Sequence, residues 1–308
     1  MPDSKRFLHL EAIKRISRLD LRAKQVVEGF LTGMHRSPFF GQSIEFRQHR
    51  EYVPGDDLRH VDWKVWARQD RLTIKQYDED TNMRVNLLVD VSKSMQYGNG
   101  VFTKFEYAAT MAASLAWLIL KQQDSVGCMT FDDAVRSRTS NSSQRIQLNR
   151  ITQTLEAATL NEKTDLASIF AAATEAFPRR GVMIVISDLF GDPESTLKGL
   201  RLLRQRGHEV MVLHVLDEDE LTFPFSGSSR FADLESETKL NCNPKALRDG
   251  YLEAINEFLA TIRRGCARAS VEYLQTSTAE PLDAALAEFL GRRMVLSLIH
   301  ISEPTRPY

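Results

Sequence analysis

Cysteine is scarce in this sequence, a membrane-length apolar run is absent, and neither charge sign is in excess. The three cysteines, Cys128, Cys242 and Cys266, are odd in number and far apart. They fit neither a zinc centre nor a disulfide framework, and a reducing compartment suits them best. The most apolar stretch, residues 108–120, is too short to cross a bilayer, which takes about 20 residues. Residues 1–14 mix charged and apolar side chains and lack the apolar core of a secretion signal. A soluble, cytoplasmic protein is therefore expected. Lysine and arginine total 40 against 41 aspartate and glutamate, a net charge of −1. That balance argues against a dedicated nucleic-acid binder, although a local basic patch survives such an average. The 308 residues are enough for a large core and, as a soft prior, for about two domains.

What is present is a change of pattern along the chain. Residues 8–31 carry apolar side chains at three- and four-residue steps, Leu10, Ile13, Ile16, Leu19, Val26, Val27 and Phe30, and read as an amphipathic helix. Residues 43–50 alternate as a half-exposed strand does, Pro54-Gly55 signals a turn, and Asp56 or Asp57 caps a short helix over 58–67. Trp63, Trp66 and Ala67 would form its apolar stripe, and 72–77 reads as the next strand. This insert is locally basic through Arg47, Arg50, Arg59, Lys64, Arg68, Arg71 and Lys75, which nearby acids can pair. From Arg84 strands and helices alternate. Strands are expected at 85–90, 125–131, 134–138, 182–187, 209–215 and 270–274. Helices are expected at 104–120, from Asn141 or Ser142 to about 157, and at 166–176, 193–206, 244–264 and 281–290. Residues 217–243 read as irregular, with a short strand pair near 231–234 and 238–240. The fold class expected is α/β: a doubly wound, mostly parallel sheet preceded by a helix and a small α+β insert.

The chemistry-bearing residues lie at the ends of the apolar strands. The run Val85 to Val89 ends in Asp90-Val-Ser92-Lys-Ser94, and Val182 to Ser187 ends in Asp188. Thr164 sits in a polar loop just before a helix. Ligands in open α/β sheets bind outside the carboxyl ends of the strands. Asp90, Ser92, Ser94, Thr164 and Asp188 supply only oxygen, which suits Mg²⁺ or Mn²⁺ and not zinc. Three of the five are neutral hydroxyls, so a bound ion keeps positive charge and favours one further anionic ligand from outside.

In order and in placement, these five residues resemble the metal-ion-dependent adhesion site of von Willebrand factor A domains. The resemblance covers roughly residues 84–274. It implies that the two serines and the threonine reach the ion directly or through water, that the aspartates act largely through water, and that a partner carboxylate completes the shell. Upstream, Arg50-Glu-Tyr52-Val-Pro-Gly-Asp56-Asp57-Leu-Arg59-His-Val-Asp62-Trp63, followed by Ala67-Arg68, resembles the signature of the bacterial family known as domain of unknown function 58. Members of that family pair such an insert with an A-type domain and are often encoded beside MoxR-type AAA+ ATPases. They are suspected to act with these ATPases in maturing other proteins or inserting metal into them. The resemblance thus implies a non-enzymatic adaptor with a MoxR-type ATPase and a client protein as partners, and an insert whose signature residues touch a partner. Many members carry membrane segments, which this sequence does not show.

Two other readings stay open. Asp90 at a strand end is placed as the nucleophile of a metal-dependent phosphoester hydrolase would be, but Ser92 stands where a second aspartate is wanted. The basic insert offers a nucleic-acid surface, with Trp63 and Trp66 better explained as core. The expected organisation is a helical segment over 1–38, the insert over 39–83 and the A-type domain over 84–295. Residues 296–308 resemble a translated transposase-type sequencing adapter, so the native chain is expected to stop near Val295.

Overall fold

Strand β3 (Arg84–Asp90) stands at the centre of a six-stranded sheet, and its composition explains why. Every residue after Arg84 is buried, as a parallel strand covered on both faces requires. The computed structural model describes residues 10–34, 48–51, 65–66, 73–76, 83–160, 166–225, 229–232, 239–242 and 244–301. The chain divides into two compact units, one of residues 1–33 with 83–308 and the other of residues 34–82.

The larger unit holds β3, β4 (Ser125–Phe131), β5 (Val135–Ser142), β6 (Val182–Ser187), β7 (Glu209–Leu216) and β10 (Glu272–Ser277) in the order β10-β7-β6-β3-β4-β5. All neighbours run parallel except β4 and β5. The chain builds outward from β3 through β4 and β5, then returns to add β6, β7 and β10 on the other side. The point where the order reverses is the β3–β6 boundary, the place where such sheets leave a crevice. A doubly wound, mostly parallel α/β sheet is what the alternating pattern predicts.

Helix α3 (Lys104–Lys121) packs on the sheet with almost all its residues buried. It begins in a capping box: Thr103 accepts from the Glu106 N–H, and the Glu106 carboxylate accepts from the Thr103 N–H. The N-terminal helices α1 (Leu10–Lys14) and α2 (Leu19–Met34) belong to the same unit and bury Ile13, Leu19, Ala23, Val26, Val27 and Phe30. The Leu19 N–H bonds Glu156, and Arg22 bonds Thr110 and stacks over the Phe102 ring. Helices α5 (Leu166–Ala176) and α6 (Pro193–Gln205) are in close contact. A Cβ on Gly199 would lie 2.4 Å from Phe170, so only glycine lets the two approach this far.

Several boundaries differ from those the sequence suggests. Strand β5 runs on to Ser142, and helix α4 begins only at Ile146 and ends at Glu156. Asn141 and Ser142 serve the sheet instead of capping the helix: Ser142 pairs with Val126, and the Asn141 amide donates to the Val85 carbonyl. Residues 217–243 contain α7 (Glu218–Thr222) and the antiparallel pair β8 (Ser229–Ala232) and β9 (Lys239–Cys242). Helix α8 (Pro244–Arg268) extends further than expected, and Ser270 ends it in the left-handed region at φ 53°. The last strand therefore starts at Glu272. Helix α9 spans Leu282–Ile301. Among the described residues, no helix is long and apolar enough to cross a membrane.

In the smaller unit β1 (Gln48–Glu51) pairs antiparallel with β2 (Thr73–Gln76), placing Arg50 opposite Ile74. Val65 and Trp66 are helical. Trp66, expected in a core stripe, is instead 43% exposed; so small a unit has too much surface for its volume to enclose every indole. Tyr52, Asp56, Asp57, Arg59, Asp62, Trp63 and Arg68 lie outside the described residues.

Candidate metal centre at the sheet crevice

Asp90 is the last residue of β3, and Asp188 directly follows β6, the neighbouring strand. Both are 1% exposed. The chain leaving β3 keeps its place because the Val91 N–H still bonds the Phe131 carbonyl of β4, and Val91 is itself buried. The Ser92 N–H turns back onto Asp90 Oδ1 at 2.8 Å, an Asx-type turn that starts the 3-10 turn Lys93–Gln96. Buried Met95 anchors that turn. The Ser92 and Ser94 hydroxyl oxygens lie 3.0 Å apart, with Ser94 only half-buried and Lys93 between them exposed. Three of the expected ligands, Asp90, Ser92 and Ser94, are thus held within one short turn, and Asp188 stands on the adjoining strand end. Thr164 lies outside the described residues.

The second strand end is tightly cross-linked. Ser187 donates its hydroxyl to Asp90 Oδ2 at 2.5 Å and accepts from the Leu189 N–H at 2.8 Å. Leu189 is buried at φ 52°, a left-handed conformation that costs a non-glycine residue about 1–2 kcal/mol. That sharp turn lets the Phe190 N–H reach Asp188 Oδ1 at 3.2 Å. His214 on β7 bonds the Asp188 carbonyl through Nε2 and the Tyr273 hydroxyl through Nδ1, each at 2.7 Å. A carbonyl only accepts, so the proton is on Nε2 and Nδ1 accepts from tyrosine. Burial pushes the imidazole down to about 4, which keeps it neutral.

The cation of this cluster belongs to none of the motifs visible in the sequence. Lys104, the first residue of α3, is fully buried. Its Nζ donates to Asp188 Oδ2 at 2.8 Å and to Glu220 Oε1 of α7 at 2.6 Å, and stands 4.7 Å from the Phe190 ring centroid. Burial alone would lower its pKa; Asp188 and then Glu220 outweigh that and hold it above the ordinary value. Burial pushes Glu220 up against the pull of Lys104. The 2.6 Å contact is that of an ionised pair, and it is this direction, a charged Lys104, that the geometry supports. A signal for Lys104 was present: a lysine opening a helix that is apolar on nearly every face has nowhere wet to go. Glu220 was legible too, as the fourth residue of a D-x-x-E capping box begun by Asp217.

Asp90 differs from Asp188 in having no cationic contact among the described residues. Burial, then the charge of Asp188, raises it from 3.8 to about 7, against the hydrogen bonds of Ser187 and Ser92. Two buried carboxylates on adjoining strands, a third on α7 and one ammonium leave the cluster short of positive charge. A hard divalent ion fits that deficit, and the donors at hand are carboxylate and hydroxyl oxygens. No group of three or more His, Cys, Asp or Glu among the described residues forms a metal centre by itself, so any ion here depends on the serine hydroxyls. Cys128 and Cys266 are buried free thiols.

The family model described as "Protein of unknown function DUF58" matches residues 48–258. Uncharacterized proteins of Mycobacterium bovis and Mycobacterium tuberculosis are each 30% identical over 281 residues, covering 89% of this chain and 87% of the relative. Among solved structures, the chain is similar to the conserved hypothetical protein BatB from Bacteroides thetaiotaomicron at 17% identity and a TM-score of 0.47, over 69% of this chain and 99% of that one. It is also similar to the SpRpn10 VWA domain at 13% identity and a TM-score of 0.41, over 69% and 95%.

Proposed function

This chain belongs to the DUF58 family, and from that premise we propose that it is a non-enzymatic, cytoplasmic adaptor that binds carboxylates of partner proteins through a divalent metal ion. The ion is Mg²⁺ or Mn²⁺, held by Asp90, Ser92, Ser94 and Asp188 together with Thr164, which stands two residues before α5 in the sequence. The observation that carries the reading is Asp90: a buried carboxylate at the sheet crevice, beside a second one, with only hydroxyl and amide groups to balance its charge. A divalent ion supplies the missing charge. Because the hydroxyl ligands are neutral, the ion retains attraction for one more anion, which a partner's aspartate or glutamate provides. In this reading the partners are a MoxR-type AAA+ ATPase and a client whose maturation that ATPase drives. The signature residues of the insert, Arg50, Tyr52, Asp56, Asp57, Arg59, Asp62, Trp63 and Arg68, supply a second contact surface.

A hydrolase reading is weaker on geometry. Both Asp90 oxygens are engaged by the chain itself, Oδ1 by the Ser92 N–H and Oδ2 by the Ser187 hydroxyl, which leaves the carboxylate poorly placed for nucleophilic attack.

Isothermal titration with Mg²⁺ tests the metal. Wild type should bind, and Ser92→Ala should weaken binding at least about tenfold, some 1.4 kcal/mol, by removing one ligand. Equal binding by the two chains would rule this assignment out. A pull-down of a MoxR-type ATPase, with Mg²⁺ or with chelator, on wild type and Asp90→Ala tests the adaptor role; capture indifferent to both would separate the partner from the ion.

A further inference from the structure

Lys104 is fully buried against Asp188, one of the two aspartates at the crevice. We infer that Lys104 is the resident counter-ion of this centre, and that its contest with the divalent ion for Asp188 sets how tightly the ion is held. The inference rests on the metal reading above and deepens it.

Lys104 Nζ holds Asp188 Oδ2, one of the two oxygens that carboxylate can offer an ion, while Asp188 Oδ1 is already engaged by the Phe190 N–H. An arriving ion must therefore share Asp188 with an ammonium 2.8 Å away. Lys104 cannot retreat to water: its side chain is fully buried, with the Phe190 ring packed against the charge. Its position is fixed from both sides. The Lys104 N–H bonds the Tyr97 carbonyl at 2.8 Å, so the turn carrying Ser92 and Ser94 is tied to the start of α3. A Cβ on Gly98 would lie 2.6 Å from the Thr103 backbone, which shows how closely the two segments meet. Glu220 is the other half of the arrangement. It draws Lys104 at 2.6 Å and lies in α7, which is held by the Asp217 cap, the Thr278 bond to Asp217 and the Tyr251 bond to the Glu220 carbonyl.

Charge therefore makes two opposite demands. Neutralising Lys104 frees Asp188 Oδ2 from its ammonium and removes a buried positive charge from beside the ion's carboxylate ligand, so affinity rises. Neutralising Glu220 leaves Lys104 bound to Asp188 alone and removes one attracting charge, so affinity falls. Each effect should reach about tenfold or more, because unit charges a few ångströms apart interact strongly even at an effective dielectric of about 20. A purely structural role for the bridge gives another pattern, in which both changes disturb Asp188 and both weaken binding.

The experiment is calorimetric titration of the full chain with Mg²⁺ at neutral pH, for wild type, Lys104→Met and Glu220→Gln. Thermal unfolding with and without Mg²⁺ accompanies it. Tighter binding in Lys104→Met with weaker binding in Glu220→Gln is expected, and Mg²⁺ should raise the Tm of Lys104→Met by more than that of wild type. Should Lys104→Met not fold, Lys104→Gln carries that arm, since its amide can still donate to Asp188. Binding by wild type with both variants weakened, or both unchanged, overturns the inference and leaves the metal reading standing. No binding by any of the chains removes the metal reading, and the inference with it.

Discussion

In the presence of a chelator, wild type is expected to lose stability relative to Asp90→Asn as the pH rises from about 4 to about 7, by roughly 4 kcal/mol in all. The carboxyl of Asp90 is raised by burial and by Asp188 from 3.8 to about 7 in the folded chain. Between those values the native state keeps a proton that the unfolded chain has released, so each step up in pH favours unfolding. Below about 4 the proton is bound in both states and the contribution is complete; above about 7 it is gone. Wild type alone would not show this cleanly. His214 is pushed down to about 4 by burial, so the folded chain resists its protonation and loses stability as pH falls from the ordinary histidine value. That opposing slope is common to both chains and cancels in the difference. Urea unfolding of the pair across this range makes the measurement, and a flat difference would show that Asp90 is not a buried, uncompensated acid. On the metal reading proposed above, saturating Mg²⁺ should remove the slope from wild type, because a bound ion would hold Asp90 ionised.

The second large effect lies in the core. Phe170→Ala should destabilise the protein by about 3–5 kcal/mol, measured as a shift of the denaturant midpoint with an unchanged slope. Phe170 is fully buried in a cluster with Leu166, Ile169, Ala173 and Leu200, and its ring fills the space against Gly199. Alanine is a good helix former, so the cost comes from the cavity and not from helix propensity. Helix α5 also begins two residues after Thr164. If Thr164 joins the ion as proposed above, loosening this seat should weaken Mg²⁺ binding in addition to lowering stability. A loss below about 1 kcal/mol would mean that α5 and α6 are not packed as described.

Much of this fold was legible in the residues because local patterns and global burial agree. The runs ending at Asp90 and Ser187 are apolar without alternation, and both became strands covered on two faces. Helix α3 begins at its predicted residue because a capping box and an all-round apolar surface coincide there. The misread boundaries are places where a polar residue had two uses. Asn141 and Ser142 are good helix caps by type, yet their hydrogen bonds go to the sheet, and no local rule says which partner will be nearer. Ser270 illustrates the same limit: its left-handed turn delays the last strand, and serine gives no warning of that conformation.

The sequence by itself determined the alternation that makes a parallel sheet and the oxygen donors waiting at two strand ends. Only the tertiary structure decided that those ends are neighbours, since adjacency of β3 and β6 follows from where the chain reverses its order. It also decided that Lys104, 84 residues before Asp188 and 116 before Glu220, supplies the charge between them. A buried ion pair is chosen by three-dimensional proximity and by the lack of water, and neither is written in the spacing of residues along a chain.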